Sequence, residues 1–359
     1  SGGMLAGVVE EAGPASPLGL KPGDRIATLV SLTLTPLAIT DGLARWDGRS
    51  EQVPCDGHAI LFGRSVAAVL PGDLPAPLAL AALDVCGAPA LTQRVVTAHC
   101  GGGHAGAPVV YQAGDTDRQP GAGQARRAGG PVVAVLGAAG KSGSLSAAAA
   151  REAGAARIIG VVPTEHEAVL LREASGIARH QEDGHRGGAA AGVRPVPRAH
   201  PPCPSPLAGE PAPPLVDEIV IADATQPAQL AEAVAHAGGP ADVTVVCADA
   251  PGCEGGAILA TRQGGTVIFF SMATSFSAAA LGAEGMAADV TMLIGNGYVP
   301  GHAQLALGLI RGNPGLRRLV ERRVPSGRDR QPQVFSPPAP RKADNSKKPP
   351  SRPGKAGAR

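Results

Sequence analysis

Aromatic residues are nearly absent: the chain holds five Phe, two Tyr and one Trp in 359 residues. Proteins that grip nucleic acid through exposed bases need flat rings to stack them on, so this scarcity argues against such a partner. Net charge is +2, but residues 325–359 alone hold nine Lys or Arg against Asp329 and Asp344, leaving the remainder at −5. That tail is proline-rich and lacks an apolar period, which is the composition of a solvated, disordered end. Apolar runs of about 18 residues are missing too, and no charged-then-apolar leader opens the chain, so neither a helical membrane span nor export is expected. Six cysteines stand at 55, 86, 100, 203, 247 and 253 without any C-x-x-C spacing. A disulfide scaffold and a structural zinc site are therefore not expected, and a reducing, cytoplasmic setting is.

What is present is glycine and small apolar residues. A hydrophobic content of 44% over this length can bury a core and fits two domains. Within it, "VVAVLGAAGKSGSLSAAAAREAG" (132–154) runs from a β-branched stretch through glycines into an alanine-rich helix. A strand–turn–helix of this kind binds phosphate, because the first helical N–H groups and the helix dipole favour an anion. "GKS" invites a triphosphate reading, yet a P-loop needs a glycine five residues before Gly140, and Val135 stands there. The dinucleotide reading fits better. Gly137 allows the tight turn, Gly140 the approach of backbone to pyrophosphate, and Gly143 the packing of helix on strand. Ala139 takes the place of the usual second glycine, and Lys141 and Ser142 open the helix. An ordinary βα turn with chance glycines is the alternative.

"RIIGVV" (157–162) reads as the next strand, where a ribose-binding acid is expected at the tip. The tip is Pro163-Thr164-Glu165 instead. Glu165 or Glu167 serves the ribose, or the small Thr164 leaves room for a 2′-phosphate with Arg172 as its cation, so NAD and NADP both stay open. Further strands are expected at 241–250, 264–272 and 289–297, with helices between them. Buried Val/Ile runs separated by helices mean a parallel sheet covered on both faces, an α/β fold. Ligands lie beyond the carboxyl ends of such strands, which places Gly137–Gly143, Thr164, Ala248–Pro251, Ser271–Ser275 and Asn296 around one crevice. Two segments do not fit this pattern. Residues 99–131 have no period, and 179–214 hold nine prolines; they read as disordered insertions or as text from another reading frame.

Ahead of the sheet, "GMLAGVVEEAGPASPLGLKPGDRIATLVSL" alternates strand-like runs with turn residues, a small antiparallel β domain. Taken with "LKPGDRIA", "LDVCGAPALT", "VLGAAGKSG" and "GGTVIFF", the chain resembles the medium-chain dehydrogenase/reductase superfamily. "TLTPLAITDGLARWDG", "DGHAILFGRS" and "FFSMATSFSAAALGAEG" narrow the resemblance to the diaminohexanoate dehydrogenase family. The resemblance implies a GroES-like catalytic domain over 1–82, a Rossmann domain over 83–313, a return to the catalytic domain at 314–324, and the tail. Because Ser1 opens in mid-pattern, the natural start is expected upstream.

It further implies oxidative deamination of 3,5-diaminohexanoate to 5-amino-3-oxohexanoate with NAD or NADP, as in lysine fermentation, by a homo-oligomer. Zinc relatives place a histidine ligand where Gly2-Gly3-Met4 stands here, and Cys86 sits at another ligand position without partners, so no metal is expected. Asp84 is the first candidate for amine recognition or proton transfer, and His58 a second proton shuttle. Asp41 and Asp47 are candidates for the C5 ammonium, Lys141 for the pyrophosphate or the substrate carboxylate, and Cys86 for the substrate pocket. Each has a structural alternative: a cap or salt bridge for Asp84, solvated turns for Asp41 and Asp47, a solvated helix start for Lys141, a half-buried ring for His58, a small core residue for Cys86. Two other readings stay open, a zinc-free quinone or enoyl reductase on the same fold and an inactive, decayed product.

Overall fold

The computed structural model describes residues 3–29, 35–50, 52–101, 129–177, 213–295 and 298–324. The 325–359 tail, nearly all of both atypical segments, and Asn296 lie outside these residues. Short strands come first. β1 (Ala6–Val8), β2 (Arg25–Thr28) and β5 (Ala67–Val69) form an antiparallel sheet in the order β1-β2-β5. Between β2 and β5, β3 (Leu37–Ile39) and β4 (Gly57–Ala59) pair as a separate antiparallel ladder with His58 opposite Ala38.

Two helices follow, α1 (Ala76–Leu83) and α2 (Gly87–Gly101). Strands and helices then alternate: β6 (Val132–Leu136), α3 (Lys141–Glu152), β7 (Arg157–Val162), α4 (Glu165–Ser175), β8 (Glu218–Ile221) and α5 (Pro227–His236). The second half is β9 (Ala241–Val246), α6 (Glu254–Leu259), β10 (Thr261–Phe269), α7 (Phe276–Gly285), β11 (Val290–Ile294), α8 (His302–Gly312) and α9 (Pro314–Arg323). The six later strands form one sheet in the order β11-β10-β9-β6-β7-β8, every neighbouring pair parallel. Numbered from β6, that order is 3-2-1-4-5-6, the doubly wound dinucleotide-binding arrangement. The expected α/β class is what is observed.

Burial explains the β-branched runs. Every residue of β6 and β9 is buried, because helices cover both faces of a parallel sheet. In β6 the side chains divide by period two: Val133 and Val135 join the core shared with α1, α2 and α3, while Val132, Ala134 and Leu136 join the core on the other face. Fully burying each of these valine and leucine side chains contributes about 1.5–3 kcal/mol relative to exposure. At the amino end of the sheet, Asp242 accepts from Val132 N at 2.7 Å and pairs with Arg262, tying three strands together. The 314–324 stretch, expected to return to the first domain, forms α9. Its arginines pair with α4, Arg322 with Glu173 at 2.8 Å and Arg323 with Glu167.

Candidate active site

β6 and β9 are neighbours, but the connections leaving β6 and β9 run to opposite sides of the sheet. A crevice results at their carboxyl ends, where such folds hold their ligands. The β6–α3 turn occupies it. Gly137 has φ +81° and donates its N–H to Val161 O at 2.9 Å. A Cβ there would lie 2.9 Å from Ala248 N, so the turn rests directly on the end of β9. Gly143 is held still more tightly: a Cβ would come within 2.1 Å of Gly137 O. Helix α3 can therefore lie against its own turn only if this residue has no side chain.

Gly140 differs. A Cβ there meets only Gly137 O, at 3.3 Å, so the protein's own packing does not require glycine. Gly140 is also the N-cap of α3, supplies no side-chain cap, and no acidic residue stands in the first turn. The initial N–H groups of α3 thus open into the crevice with the positive end of the helix dipole behind them.

Other sequence candidates are placed less simply. Ala139 is 1% exposed and packs in the core, so only its backbone faces the turn; its small size serves packing. Ser142 and Ser146 flank the Cys247 thiol at the end of β9, the Ser146 Oγ–Sγ distance being 4.0 Å. Burial pushes that thiol up to about 11, with the two hydroxyls partly offsetting the effect. Thr164 caps α4, its hydroxyl accepting from Glu167 N at 3.3 Å. The acids beside it are engaged: Glu165 pairs with Arg172 at 3.5 Å, and Glu167 with Arg323.

Ser271 follows β10, its hydroxyl donating to Asp249 Oδ1 at 3.4 Å and accepting from Ala273 N at 3.1 Å. Five residues on from Asp249, Glu254 is 3% exposed and accepts from Ser275 N at 2.6 Å. Sequence reasoning missed this carboxylate. Its one local signal was an acid at the start of a helix following a buried strand.

Asp84 and Lys141 are brought together, Nζ to Oδ2 at 3.0 Å, with Asp84 the C-cap of α1 and Lys141 the first residue of α3. Both are partly exposed, at 51% and 35% of the side chain, so their pairing leaves them accessible to a ligand. Cys86, two residues on, is corrected by the structure. It is 1% exposed, and burial pushes its thiol up to about 12, so it offers neither a thiolate nor a contact surface to substrate. Among the described residues, no three of His, Cys, Asp and Glu converge as metal ligands would.

His58, Asp41 and Asp47 belong to the β3–β4 lobe. His58 is exposed. Asp47 accepts from Arg49 N and Ser50 N at 2.9 and 2.7 Å, a turn-forming role. Asp41 accepts from Leu43 N at 3.1 Å and lies 3.6 Å from Arg45. Burial raises the Asp41 carboxyl, but the Asp56 and Leu43 N–H groups and the Arg45 guanidinium outweigh it and hold the group below the usual carboxylate range. Both aspartates are thus committed to the lobe's own turns.

Residues 1–71 match the L-erythro-3,5-diaminohexanoate dehydrogenase N-terminal domain. The chain is 36% identical over 326 residues to an L-erythro-3,5-diaminohexanoate dehydrogenase of Acetoanaerobium sticklandii, covering 90% of this chain and 75% of that protein. The chain belongs to that family. An L-erythro-3,5-diaminohexanoate dehydrogenase of Fusobacterium nucleatum is 37% identical, with 89% and 74% covered. The chain is also similar to a mycobacterial protein complexed with NADPH, at 16% identity, 90% and 72% coverage and TM-score 0.43. An alcohol dehydrogenase from a Thermus species gives 18% identity, 87% and 73% coverage and TM-score 0.43. Among the described residues, no helix is long and apolar enough to cross a membrane.

Proposed function

We propose that this chain catalyses oxidative deamination of L-erythro-3,5-diaminohexanoate to 5-amino-3-oxohexanoate, dependent on NAD or NADP. The observation that carries the reading is identity of 36–37% to two dehydrogenases of that name over 89–90% of the chain, N-terminal strands and parallel sheet alike. The crevice fits a dinucleotide. Gly137 and Gly143 keep the turn against β9 and α3, and the open N–H groups of α3 would hold the pyrophosphate, with Gly140 giving it room. Thr164 would face the ribose and Ser271 the nicotinamide end. Held there, a nicotinamide dinucleotide would supply the acceptor for the hydride that leaves C3 of the substrate.

The chain's own residues must first make that hydride available. An ammonium at C3 has no lone pair to support the developing iminium, so its proton has to leave. Asp84 takes that role here: a half-exposed carboxylate at the mouth of the crevice, steadied by Lys141 at 3.0 Å. Water then adds to C3, and collapse of the adduct releases ammonium. A net proton leaves with it when both substrate amines start charged. Lys141, displaced from Asp84, is a cation for the pyrophosphate of a bound dinucleotide. The test is direct: the purified chain is given the diamine with NAD or NADP and reduced nicotinamide is followed by absorbance. Activity with the diamine supports the reading; quinone-dependent oxidation of NADPH without it overturns the reading.

A further inference from the structure

A hollow of about 380 Å³ opens between α2 and residues 299–305, which lead into and begin α8. Gln93, Arg94 and Thr97 of α2 line one side, and Val299, Pro300 and Leu305 form an apolar wall opposite. Its size is that of small-ligand pockets. Both walls start from the ligand-binding end of the sheet. α2 begins three residues after Asp84, which meets Lys141 at the start of α3, and the opposite wall begins five residues past the carboxyl end of β11.

Arg94 is an exposed cation with no ion-pair partner among the described residues, whereas Arg45, Arg151 and Arg311 each hold an aspartate. On a flat surface such an arginine would count for little, since water screens whatever it meets. In a concave site with an apolar wall the local dielectric falls and a charged hydrogen bond gains strength. The guanidinium fork matches the two oxygens of a carboxylate, while Gln93 and Thr97 add neutral hydrogen-bonding groups. Val299, Pro300 and Leu305 suit a short carbon chain better than a fully hydrated inorganic anion.

We propose that Arg94 binds a small organic carboxylate in this hollow and, resting on the function proposed above, that the carboxylate is the substrate's own. Arg94→Gln keeps a polar side chain and removes the charge. In the full chain it is expected to raise KM for the diamine roughly ten- to hundredfold, the loss of one charged hydrogen bond. KM for the nicotinamide cofactor and the thermal midpoint should stay unchanged, and Arg94→Lys should recover part of the effect. Independently of turnover, 3-aminobutanoate is titrated into wild type and Arg94→Gln by NMR. Carboxylate binding that is lost in the variant supports the site even if no diamine is oxidised, and in that case only the functional reading fails. Equal diamine KM in both proteins, or equal 3-aminobutanoate binding, overturns the proposal.

Discussion

Gly143→Ala tests the cradle because the added carbon has a calculable fate. It would lie 2.1 Å from Gly137 O, 2.8 Å from Gly137 C and 2.9 Å from Ala138 Cα, all backbone atoms with no flexible side chain to yield. A carbon–oxygen contact relaxes at about 3.3 Å, so α3 must move off its turn by roughly 1 Å or the turn must deform. Overpacking of this kind costs about 1–3 kcal/mol, and collision with backbone belongs at the upper end. Alanine returns up to about 1 kcal/mol of helix propensity. The net loss, about 2 kcal/mol, corresponds to a fall in Tm of roughly 4–8 °C for a unit of this size.

The same displacement moves the N–H groups that face the pyrophosphate, and misplacement by 1 Å can cost about a hundredfold in a positioned site. Gly140→Ala is the control. Its Cβ meets only one atom, at 3.3 Å, so Tm should hold while affinity for NAD and NADP falls. Thermal unfolding scans with and without each cofactor read both quantities. Wild-type Tm and affinity in Gly143→Ala would refute the argument, as would a Gly140→Ala protein that binds cofactor normally.

Asp84→Asn should lower turnover about 10²–10⁴-fold while changing cofactor KM little, and activity across a pH series should rise as the C3 ammonium loses its proton. Full activity of the variant at every pH would reduce Asp84 to a partner that steadies Lys141. Asp242→Ala removes the acceptor of Val132 N and the partner of Arg262; with Arg262 29% exposed, the cost belongs near the lower end for buried pairs, about 3 kcal/mol, read from the urea midpoint. Cys86 and Cys247, raised by burial to about 12 and about 11, should resist alkylation at pH 8 until the chain unfolds, as mass spectrometry would show. Their linkage has a definite sign. The unfolded thiols ionise near their ordinary value of 9.0, the folded ones later, so this stability is complete below pH 9 and is lost as pH rises towards 11–12.

Much of the scaffold was legible because its signals are local. Residues 157–162 were expected as a strand and β7 spans those same residues, since an unbroken β-branched run between turn residues has few other uses. Gly137 and Gly143 were legible for a related reason, because a sharp turn from strand to helix needs residues without a Cβ. The partners of charged residues were not legible. Glu165, Glu167 and Arg172 read as free candidates for a ribose or a phosphate, yet each already holds another residue, and Glu167 reaches 156 positions along the chain to do so.

What the sequence determined by itself is therefore the succession of strands and helices and the glycine turn, which follow from side-chain period and backbone sterics over a few residues. The tertiary structure decided the rest. It set the strand order that puts β6 beside β9, buried Cys86 and Ala139, and brought Asp84 to Lys141 across 57 positions. Those outcomes depend on which faces pack together and how much water each group keeps, and no short stretch of chain carries that information.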